Sequence, residues 1–495
     1  MKTRTIMALL TACLVLPTTP TESAETPDKP NIIFIMSDDQ GYGDASSYNP
    51  QSQIPTPGID RIAREGIRFT DAHSASAVCT PTRYGLMTGR YPWRSRLQSG
   101  VLTTGGKDGP LIAKDLLTVP QLLKQHGYQT AVVGKWHLGY SYNFPEGEEG
   151  LTRITTVKPY GKFNILAAPI GSKIIGGPVE FGFDRFHGFH HSREMHSWSK
   201  NDTVVEHIPL VDVIARSTNV SIRFIEEQSK NDKPFFLYLA LGSPHTPIVP
   251  SEKWLGRSGV NRYADFVMET DDVAVQILDA LDRLGIAENT LIFFTADNGC
   301  APQANIPELL AKGHDPSYSL RGYKADVWDG GHRVPYVVRW PGVIQPGRVS
   351  DDIICHNNLL ATCAEILGVE LPDDAGVDSF SILPVLRGDR DAEPTHPHVI
   401  HHSISGRFAI RKGDWKFIAA RGSGGWSKSD DNRPSQLYNM ADDRNETNNL
   451  VNERPEIAAA LTNLLETAVA NGRTTPGPKQ KNDVNVVIWK DRQDN

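Results

Sequence analysis

The residues with the clearest chemical potential form the string Cys79-Thr80-Pro81-Thr82-Arg83, which places a thiol at the predicted start of a helix. Pro81 suits a first helical turn, and Tyr84-Gly85-Leu86-Met87 can continue the helix. The thiol would then lie at the positive end of the helix dipole, with Arg83 one turn further along. This pattern favours a nucleophile or an anion-binding group at Cys79. The alternative is a buried structural cysteine beside a surface arginine.

Oxygen ligands are the second chemical feature. Asp38 and Asp39 come directly after one apolar run, and Asp297 and Asn298 come after another. Either pair taken alone is compatible with a solvated turn. Together they supply a set of carboxylate and amide oxygens, which hard divalent cations require. The sequence therefore predicts a metal site, and this ligand set favours calcium.

Three further segments carry ionisable side chains. Lys135 and His137 flank Trp136, so in an extended segment both side chains would point to the same side. His245 lies in the rigid turn Ser243-Pro244-His245-Thr246-Pro247, and Lys324 ends Leu320-Arg321-Gly322-Tyr323-Lys324. Each one alone is also compatible with a surface lysine, a satisfied histidine or a simple turn.

The elements that must position these side chains are four apolar runs, each followed at once by polar residues: Asn31 to Met36, Thr130 to Val133, Phe235 to Leu241 and Leu291 to Phe294. Apolar runs without alternation predict strands that are buried on both faces, as in a parallel sheet covered by helices. Helices are predicted over Pro120 to His126 and over Tyr263 to Leu284. Ligands of such sheets bind beyond the carboxyl ends of the strands. We therefore expect the polar clusters to meet at one edge.

The fold class predicted is α/β, with a large, mostly parallel sheet sandwiched by helices and a smaller C-terminal α+β domain. A chain of 495 residues is long for one compact core. We assign 28–394 to the large domain and 395–495 to the smaller one, with these elements: strands His398 to Ser403, Arg407 to Ile410 and Trp415 to Ile418, a helix Pro455 to Ala470, and a loosely held polar tail Asn471 to Asn495. Tyr140 to Gly182 lacks periodicity and is predicted to be a long insertion near the site.

The first 24 residues resemble an export signal, with Lys2 and Arg4 before the apolar run Ile6 to Leu16 and small or polar residues through Ala24. The run is too short to span a bilayer as a helix. We therefore expect a periplasmic or secreted protein. Leu10-Thr11-Ala12-Cys13 leaves open a lipoprotein anchored through Cys13.

The composition limits the function classes. With 51 basic and 58 acidic residues the net charge is −7, so bulk charge does not indicate a nucleic-acid partner. Any anionic substrate must be held by a local cluster. Five cysteines are few for an exported chain, and Cys355 and Cys363 lie in or beside a run that looks helical. We expect no disulfide framework.

The extended string from Cys79 through Leu86-Met87-Thr88-Gly89-Arg90 resembles the signature of type I, formylglycine-dependent sulfatases. Further motifs of that family follow in family order: Asp-Asp after the first strand, Gly-Lys-Trp-His-Leu-Gly, Ser-Pro-His, Thr-x-Asp-Asn-Gly and Leu-Arg-x-x-Lys. The resemblance extends from about Pro30 to Leu437-Tyr438-Asn439. It is to arylsulfatases and N-acetylgalactosamine-6-sulfatases, and it implies the alkaline phosphatase-like fold. Trp328-Asp329-Gly330-Gly331 departs from the Glu-Gly-Gly of many relatives and leaves the catalytic set untouched.

The resemblance also implies roles for individual residues. One calcium ion would be bound by Asp38, Asp39, Asp297 and Asn298, with an oxygen of the modified Cys79 nearby. Cys79 would be oxidised to formylglycine by a maturing enzyme and Arg83 would steady it, while Lys135 and Lys324 would hold the sulfate oxygens. His137 would act as the base and His245 as the proton donor to the leaving oxygen.

The activity that this resemblance implies is hydrolysis of sulfate esters on a sulfated polysaccharide or glycosaminoglycan-type oligosaccharide. Two alternatives remain: a phosphatase or phosphodiesterase of the same superfamily, against which the Cys-x-Pro-x-Arg context argues, and a non-catalytic carbohydrate-binding relative. A possible sugar subsite comprises residues after Phe183: His187, His190, His191, Arg193 and His196. A histidine-rich surface loop is the other interpretation of that segment.

Overall fold

The structure is a computed structural model that describes residues 29–148, 150–157, 160–389 and 395–490. The expected export signal and Cys13 lie outside these residues. The predicted domain boundary at residue 394 also falls in an undescribed stretch, so the division into two domains stays a prediction. Across the described residues, no helix combines the length and apolar character that crossing a membrane requires.

The helices of the described residues are α1 (Pro57–Glu65), α2 (Cys79–Thr88), α3 (Val119–Gln125), α4 (Val213–Gln228), α5 (Arg262–Leu284), α6 (Ile306–Ala311), α7 (Asp329–His332), α8 (Leu359–Ile366), α9 (Leu383–Arg387) and α10 (Pro455–Asn471).

The strands are β1 (Asn31–Asp38), β2 (Ile67–Phe69), β3 (Ala72–His73), β4 (Gln129–Lys135), β5 (Ser141–Asn143), β6 (Thr152–Val157), β7 (Gly161–Ala167), β8 (Lys173–Ile175), β9 (Arg185–Phe189), β10 (Ser197–Lys200), β11 (Thr203–His207), β12 (Phe235–Pro244), β13 (Thr290–Ala296), β14 (Tyr336–Arg339), β15 (Arg348–Ser350), β16 (Ile354–Cys355), β17 (Val399–His402), β18 (Phe408–Lys412), β19 (Trp415–Ile418) and β20 (Gln436–Asn439).

The four apolar runs form the centre of a 12-stranded sheet, where β13, β1, β12 and β4 are parallel neighbours. Alternate residues of β1 enter two separate cores: Ile32, Phe34 and Met36 pack in one, and Ile33 and Ile35 in the other. Helices α2, α3 and α8 supply the first core, while α1, α4 and α5 supply the second. Because helices cover both faces of the sheet, the side chains that point to either face of these strands are apolar. The predicted α/β class is confirmed.

Local sequence signals explain the helix boundaries. Thr118 and Gln121 form a capping box at the start of α3. The side chain of Asn261 accepts a hydrogen bond from the Ala264 amide at the start of α5, and Gly285 ends that helix with φ 68°. Both helices agree with the sequence prediction to within one residue at their start.

One segment contains strands that the sequence did not indicate, and one prediction is wrong. In Tyr140 to Gly182, the predicted insertion, β5 and β8 extend the main sheet and β6 pairs with β7 in a hairpin. Its strands are short or largely exposed, which hides the pattern of burial that would predict them. The tail after Asn471 is not loose through residue 490, because Asp483 accepts hydrogen bonds from Arg90 and Ile488 is buried.

The C-terminal region forms a four-stranded antiparallel sheet in the order β17, β18, β19, β20, with α10 packed against it. The predicted strands and helix of this region are confirmed. The expected absence of a disulfide framework also agrees with the structure, where the described cysteines Cys79, Cys300, Cys355 and Cys363 are all free.

A buried ionic cluster joins this sheet to the main sheet. Lys416 on β19 lies 2.7 Å from carboxylate oxygens of both Asp329 and Glu446, and all three side chains are at most 1% exposed. Asp329 also pairs with Arg333 at 3.2 Å. Two buried carboxylates therefore share the Lys416 ammonium group of the C-terminal sheet, and Asp329 has Arg333 as a second cation.

Replacing Lys416 with methionine should destabilise the protein, because Asp329 and Glu446 would remain buried with much less compensating charge. The expected loss is about 3–5 kcal/mol in the free energy of unfolding, measured by urea unfolding. Lys412→Met, on the exposed end of β18, is the control. Equal unfolding midpoints for the two variants would contradict this account.

Candidate functional site

The polar clusters that follow the four central strands meet at the carboxyl edge of the sheet. Asp38 ends β1, Lys135 ends β4, and Asp297 follows β13 directly. His245 follows Pro244 at the end of β12. Because these strands are parallel neighbours, their carboxyl ends lie side by side. The predicted convergence at one edge is confirmed.

The acidic side chains form a compact group. The Asp39 amide donates a hydrogen bond to Asp297 Oδ1 at 3.2 Å, and Asn298 Nδ2 donates to Asp39 Oδ1 at 2.8 Å. Ligand atoms of Asp38, Cys79 and Asp297 all lie within 4.8 Å of one another. Asp38 Oδ1 and Asn298 Oδ1 are buried and have no hydrogen-bond partner. Unpaired buried acceptors are costly, and a bound cation would satisfy both.

Three cationic side chains neutralise this group. Lys135 Nζ donates to Asp38 Oδ2 at 2.6 Å, and Lys324 Nζ donates to Asp39 Oδ1. Arg83 donates through Nε and Nη2 to Asp297 Oδ2 at 3.1 and 2.7 Å. The carboxylates and cations are therefore equal in number.

Burial and charge act in opposite directions on these groups. Burial alone would raise the pKa of Asp38, but the charges of Lys135, Arg83 and Lys324 outweigh it and hold the pKa well below its usual value. For Asp297, burial and the neighbouring charge of Asp38 raise the pKa. The two acids differ because Asp38 lies between more cations.

Cys79 begins α2, as the sequence predicted, and the whole helix is buried. Residue Cys79 is 2% exposed. Burial raises the pKa of Cys79, although the charges of Lys135 and Lys324 partly oppose this. The unmodified side chain is therefore a neutral thiol at neutral pH, not a thiolate nucleophile.

Three imidazole rings lie beside the acids. The ring centroid of His191 is 4.5 Å from that of His137 and 6.3 Å from that of His245. Burial lowers the pKa of His245 to about 4 and holds the pKa of His137 well below its usual value. His245 Nε2 lies 3.7 Å from Asp39 Oδ2. These rings are therefore neutral near pH 7.

The five residues of the predicted sugar subsite do not form one cluster. His190 and His191 pack against His137. His187 instead lines a separate groove of about 630 Å³ beside α4, and His196 stacks on His207. Arg193 is exposed. The subsite prediction is wrong for His187 and His196, because His187 lies within β9 and faces the groove, while His196 stands just before β10 and contacts His207.

Two residues of the site were missed by the sequence analysis. Ser192 Oγ donates to Asp38 Oδ2 at 3.1 Å, and the Tyr238 hydroxyl accepts from Arg83 Nη1 at 3.3 Å. Tyr238 lies in the middle of the apolar strand β12, where the sequence pattern predicts a core residue. Ser192 stands next to His191, but no spacing rule connects it to Asp38.

The chain matches the sulfatase family model over residues 30–369. This chain belongs to the sulfatase family. Residues 323–471 of the sulfatase also match the model for the C-terminal part of N-sulphoglucosamine sulphohydrolase. The protein is accordingly a sulfuric ester hydrolase.

Characterised relatives resemble the sulfatase over nearly its whole length. It is 30% identical to an N-acetylgalactosamine-6-O-sulfatase of Bacteroides thetaiotaomicron, with 93% of this chain and 96% of the relative covered. It is 31% identical to human arylsulfatase A, covering 91% and 90% of the two chains.

Solved structures agree with the sequence relatives. A chain from a study of the metabolism of multiple glycosaminoglycans by Bacteroides thetaiotaomicron has a TM-score of 0.77, at 28% identity, covering 89% of this chain and 99% of that one. The crystal structure of Ps i-CgsB in complex with k-i-k-neocarrahexaose has a TM-score of 0.70 at 25% identity, covering 89% and 92%. The expected family and its fold are therefore confirmed.

Replacing Arg83 with methionine should destabilise the fold, because Asp297 and Asp38 would lose the buried cation beside them. We expect a loss of about 3–5 kcal/mol in the free energy of unfolding. The measurement is urea unfolding with a chelator present, so that metal binding does not contribute. Arg64→Met, whose native side chain is 67% exposed, is the control. A loss no larger than that of the control would show that Arg83 does not stabilise the acidic group.

Proposed function

We propose that this sulfatase removes sulfate ester groups from a sulfated carbohydrate, a polysaccharide or a glycosaminoglycan-type oligosaccharide, using formylglycine at residue 79 and one calcium ion. The observation that carries the proposal is the placement of Cys79 within 4.8 Å of ligand atoms of Asp38 and Asp297. The similarity to the N-acetylgalactosamine-6-O-sulfatase, and to a structure holding a neocarrahexaose, supports a saccharide substrate.

The donor set fits a calcium ion. Asp38 and Asn298 each keep a buried oxygen without a hydrogen-bond partner, and Asp39 and Asp297 add carboxylate oxygens. These residues would hold the ion, with an oxygen of the modified residue 79. Because the carboxylates already balance the cations in number, a divalent ion would make the site net positive. When bound, calcium would supply that charge next to the sulfate group and polarise the attacking oxygen.

The surroundings of Cys79 also fit its modification. A buried thiol with a raised pKa is a poor nucleophile. Once oxidised, residue 79 would supply a hydrated aldehyde whose hydroxyl attacks sulfur and whose second hydroxyl allows sulfate to be released. The Arg83 guanidinium is occupied by Asp297, Tyr238 and the Lys135 carbonyl. It would therefore steady residue 79 mainly by fixing Asp297.

Lys135 and Lys324 would bind the sulfate oxygens. Their side chains are 0% and 7% exposed, so solvent screens their charge only weakly. In the absence of substrate each ammonium group pairs with an aspartate, Lys135 with Asp38 and Lys324 with Asp39. Fixed positive charge of this kind stabilises the negative charge that develops as the sulfate ester is cleaved.

The hydrogen bonds of the two histidines favour different roles. His137 Nε2 lies 3.1 Å from the Leu102 carbonyl oxygen, which can only accept, so Nε2 carries the proton and donates the hydrogen bond. Nδ1 then keeps its lone pair and has no hydrogen-bond partner. This is the form that a general base requires. His245 lies nearer the surface, with 11% of its side chain exposed. A bound sulfate anion would raise its pKa, and His245 would then donate a proton to the leaving oxygen.

Replacing Cys79 with alanine should lower sulfate release by on the order of 10³-fold or more, because the nucleophile is removed. The measurement is free sulfate released from a panel of defined sulfated saccharides and a small aryl sulfate. Cys363→Ala, another buried free cysteine, is the control and should retain activity. Mass analysis of the peptide around residue 79 should show an aldehyde.

Two results would contradict the proposed mechanism. One is an unmodified thiol in active protein made together with a maturing enzyme. The other is a wild-type protein that hydrolyses phosphate monoesters better than any sulfate ester, which would favour the phosphatase alternative.

Calcium should stabilise the protein, because the folded state binds the ion and the unfolded chain does not. At a calcium concentration of about 100 times the dissociation constant the expected gain is about 2.7 kcal/mol, and chelation should remove it together with activity. Thermal unfolding with and without calcium measures the effect. Asp38→Asn should abolish the calcium response, whereas Asp115→Asn on the exposed surface should keep it. A calcium response that survives in Asp38→Asn would refute the ligand assignment.

We further propose that residues 1–24 direct export, so that the enzyme works in the periplasm or outside the cell, with a lipoprotein anchored at Cys13 as the alternative. A formylglycine-generating enzyme would be its maturation partner. The unpaired state of the described cysteines does not conflict with export, since the fold depends on two large hydrophobic cores.

A further inference from the structure

One loop of the C-terminal sheet packs directly against the segment that carries Lys324. This loop, residues 421–428, is part of the connection from β19 to β20, and we call it the rim loop. The amides of Trp426 and Ser427 donate to Asp326 Oδ1 at 2.9 and 3.1 Å. The Val327 amide in turn donates to the Ser423 carbonyl at 2.8 Å. The rim loop is therefore fixed to residues two and three positions after Lys324.

The approach of the two backbones is very close. A Cβ atom at Gly425 would lie 2.4 Å from the Ala325 carbonyl oxygen, so only glycine fits at this position. On its other side the Ala325 amide donates to the Ala77 carbonyl at 2.8 Å, and Ala77 stands two residues before Cys79. Ala325 therefore connects the rim loop to the backbone beside both Lys324 and Cys79.

Trp426 is unusual among the aromatic residues of this protein. Its side chain is 47% exposed, and it is the one aromatic among the exposed large hydrophobic side chains of the described residues. Five other tryptophans, in contrast, are almost fully buried: Trp93, Trp136, Trp198, Trp328 and Trp340. A single exposed hydrophobic residue needs no explanation by itself. Here, however, a hydrogen bond from its own amide fixes the backbone under this half-exposed indole to the side chain of Asp326, two residues after Lys324.

We propose that Trp426 is a substrate-binding platform, against which the apolar face of a pyranose ring adjoining the sulfated sugar stacks. This inference rests on the proposed function and names the part of the substrate that the C-terminal sheet recognises. An indole ring offers a large rigid apolar surface whose ordering costs little entropy. Since the contact is remote from sulfur, it would bind the ground state and the transition state equally, which affects KM and not kcat.

The test compares Trp426→Ala and Trp426→Phe with wild type on two kinds of substrate. One is a small aryl sulfate, and the others are sulfated tetrasaccharides from chondroitin, heparan and carrageenan. For the tetrasaccharide that wild type hydrolyses best, Trp426→Ala should raise KM about tenfold at unchanged kcat, as expected for loss of one aromatic stacking partner. The kcat/KM for the tetrasaccharide, divided by that for the aryl sulfate, should fall by the same factor of about ten. Trp426→Phe should recover most of this lost ratio. Val349→Ala, on strand β15, should match wild type.

The outcomes separate this inference from the proposed function. Equal losses on both kinds of substrate, or no change on either, would overturn the role of Trp426 and leave the sulfatase mechanism standing. Hydrolysis of the aryl ester but of no saccharide would overturn the role of Trp426 together with the saccharide substrate of the proposed function. No sulfate release from any substrate by the mature wild-type enzyme would overturn the proposed function itself.

Discussion

The site depends on one electrostatic constraint: carboxylates and cations must be buried together in matched numbers. Asp38, Asp39 and Asp297 are paired with Lys135, Lys324 and Arg83. An unmatched charge at this depth would be strongly destabilising. The parallel order of β13, β1, β12 and β4 brings these groups to one edge, and helix α2 adds Arg83 and Cys79 from above the sheet face. Sheet topology is therefore the condition for the chemistry.

The C-terminal sheet also contributes to the position of the charged groups of the site. Lys416 neutralises Asp329, which follows the Lys324 segment closely in sequence. The Ala325 carbonyl accepts a hydrogen bond from the Ile404 amide of the C-terminal region, at 2.9 Å. The segment that carries Lys324 is thus held both by the backbone before α2 and by the C-terminal region. A substrate contact on the rim loop would use the same connection that positions this lysine.

Much of the fold was predictable because its signals are local. Continuous apolar runs identified the central strands, Pro120 marked the start of α3, and helical spacing with Gly285 at the end identified α5. The strands within Tyr140 to Gly182 escaped prediction because edge strands such as β8 are short and partly exposed. The tail after Asn471 escaped it because its contacts, such as Asp483 with Arg90, are made with residues distant in sequence.

The sequence by itself determined the residue types of the site and their order along the chain, which was enough to recognise the family, because such motifs are read without knowing the fold. Only the tertiary structure decided which side chains meet. It separated His187 from His191, placed Ser192 and Tyr238 among the charged groups, and brought Trp426 beside the Lys324 segment. The physical reason is that contacts between distant segments follow from strand order and packing, which no short stretch of sequence encodes.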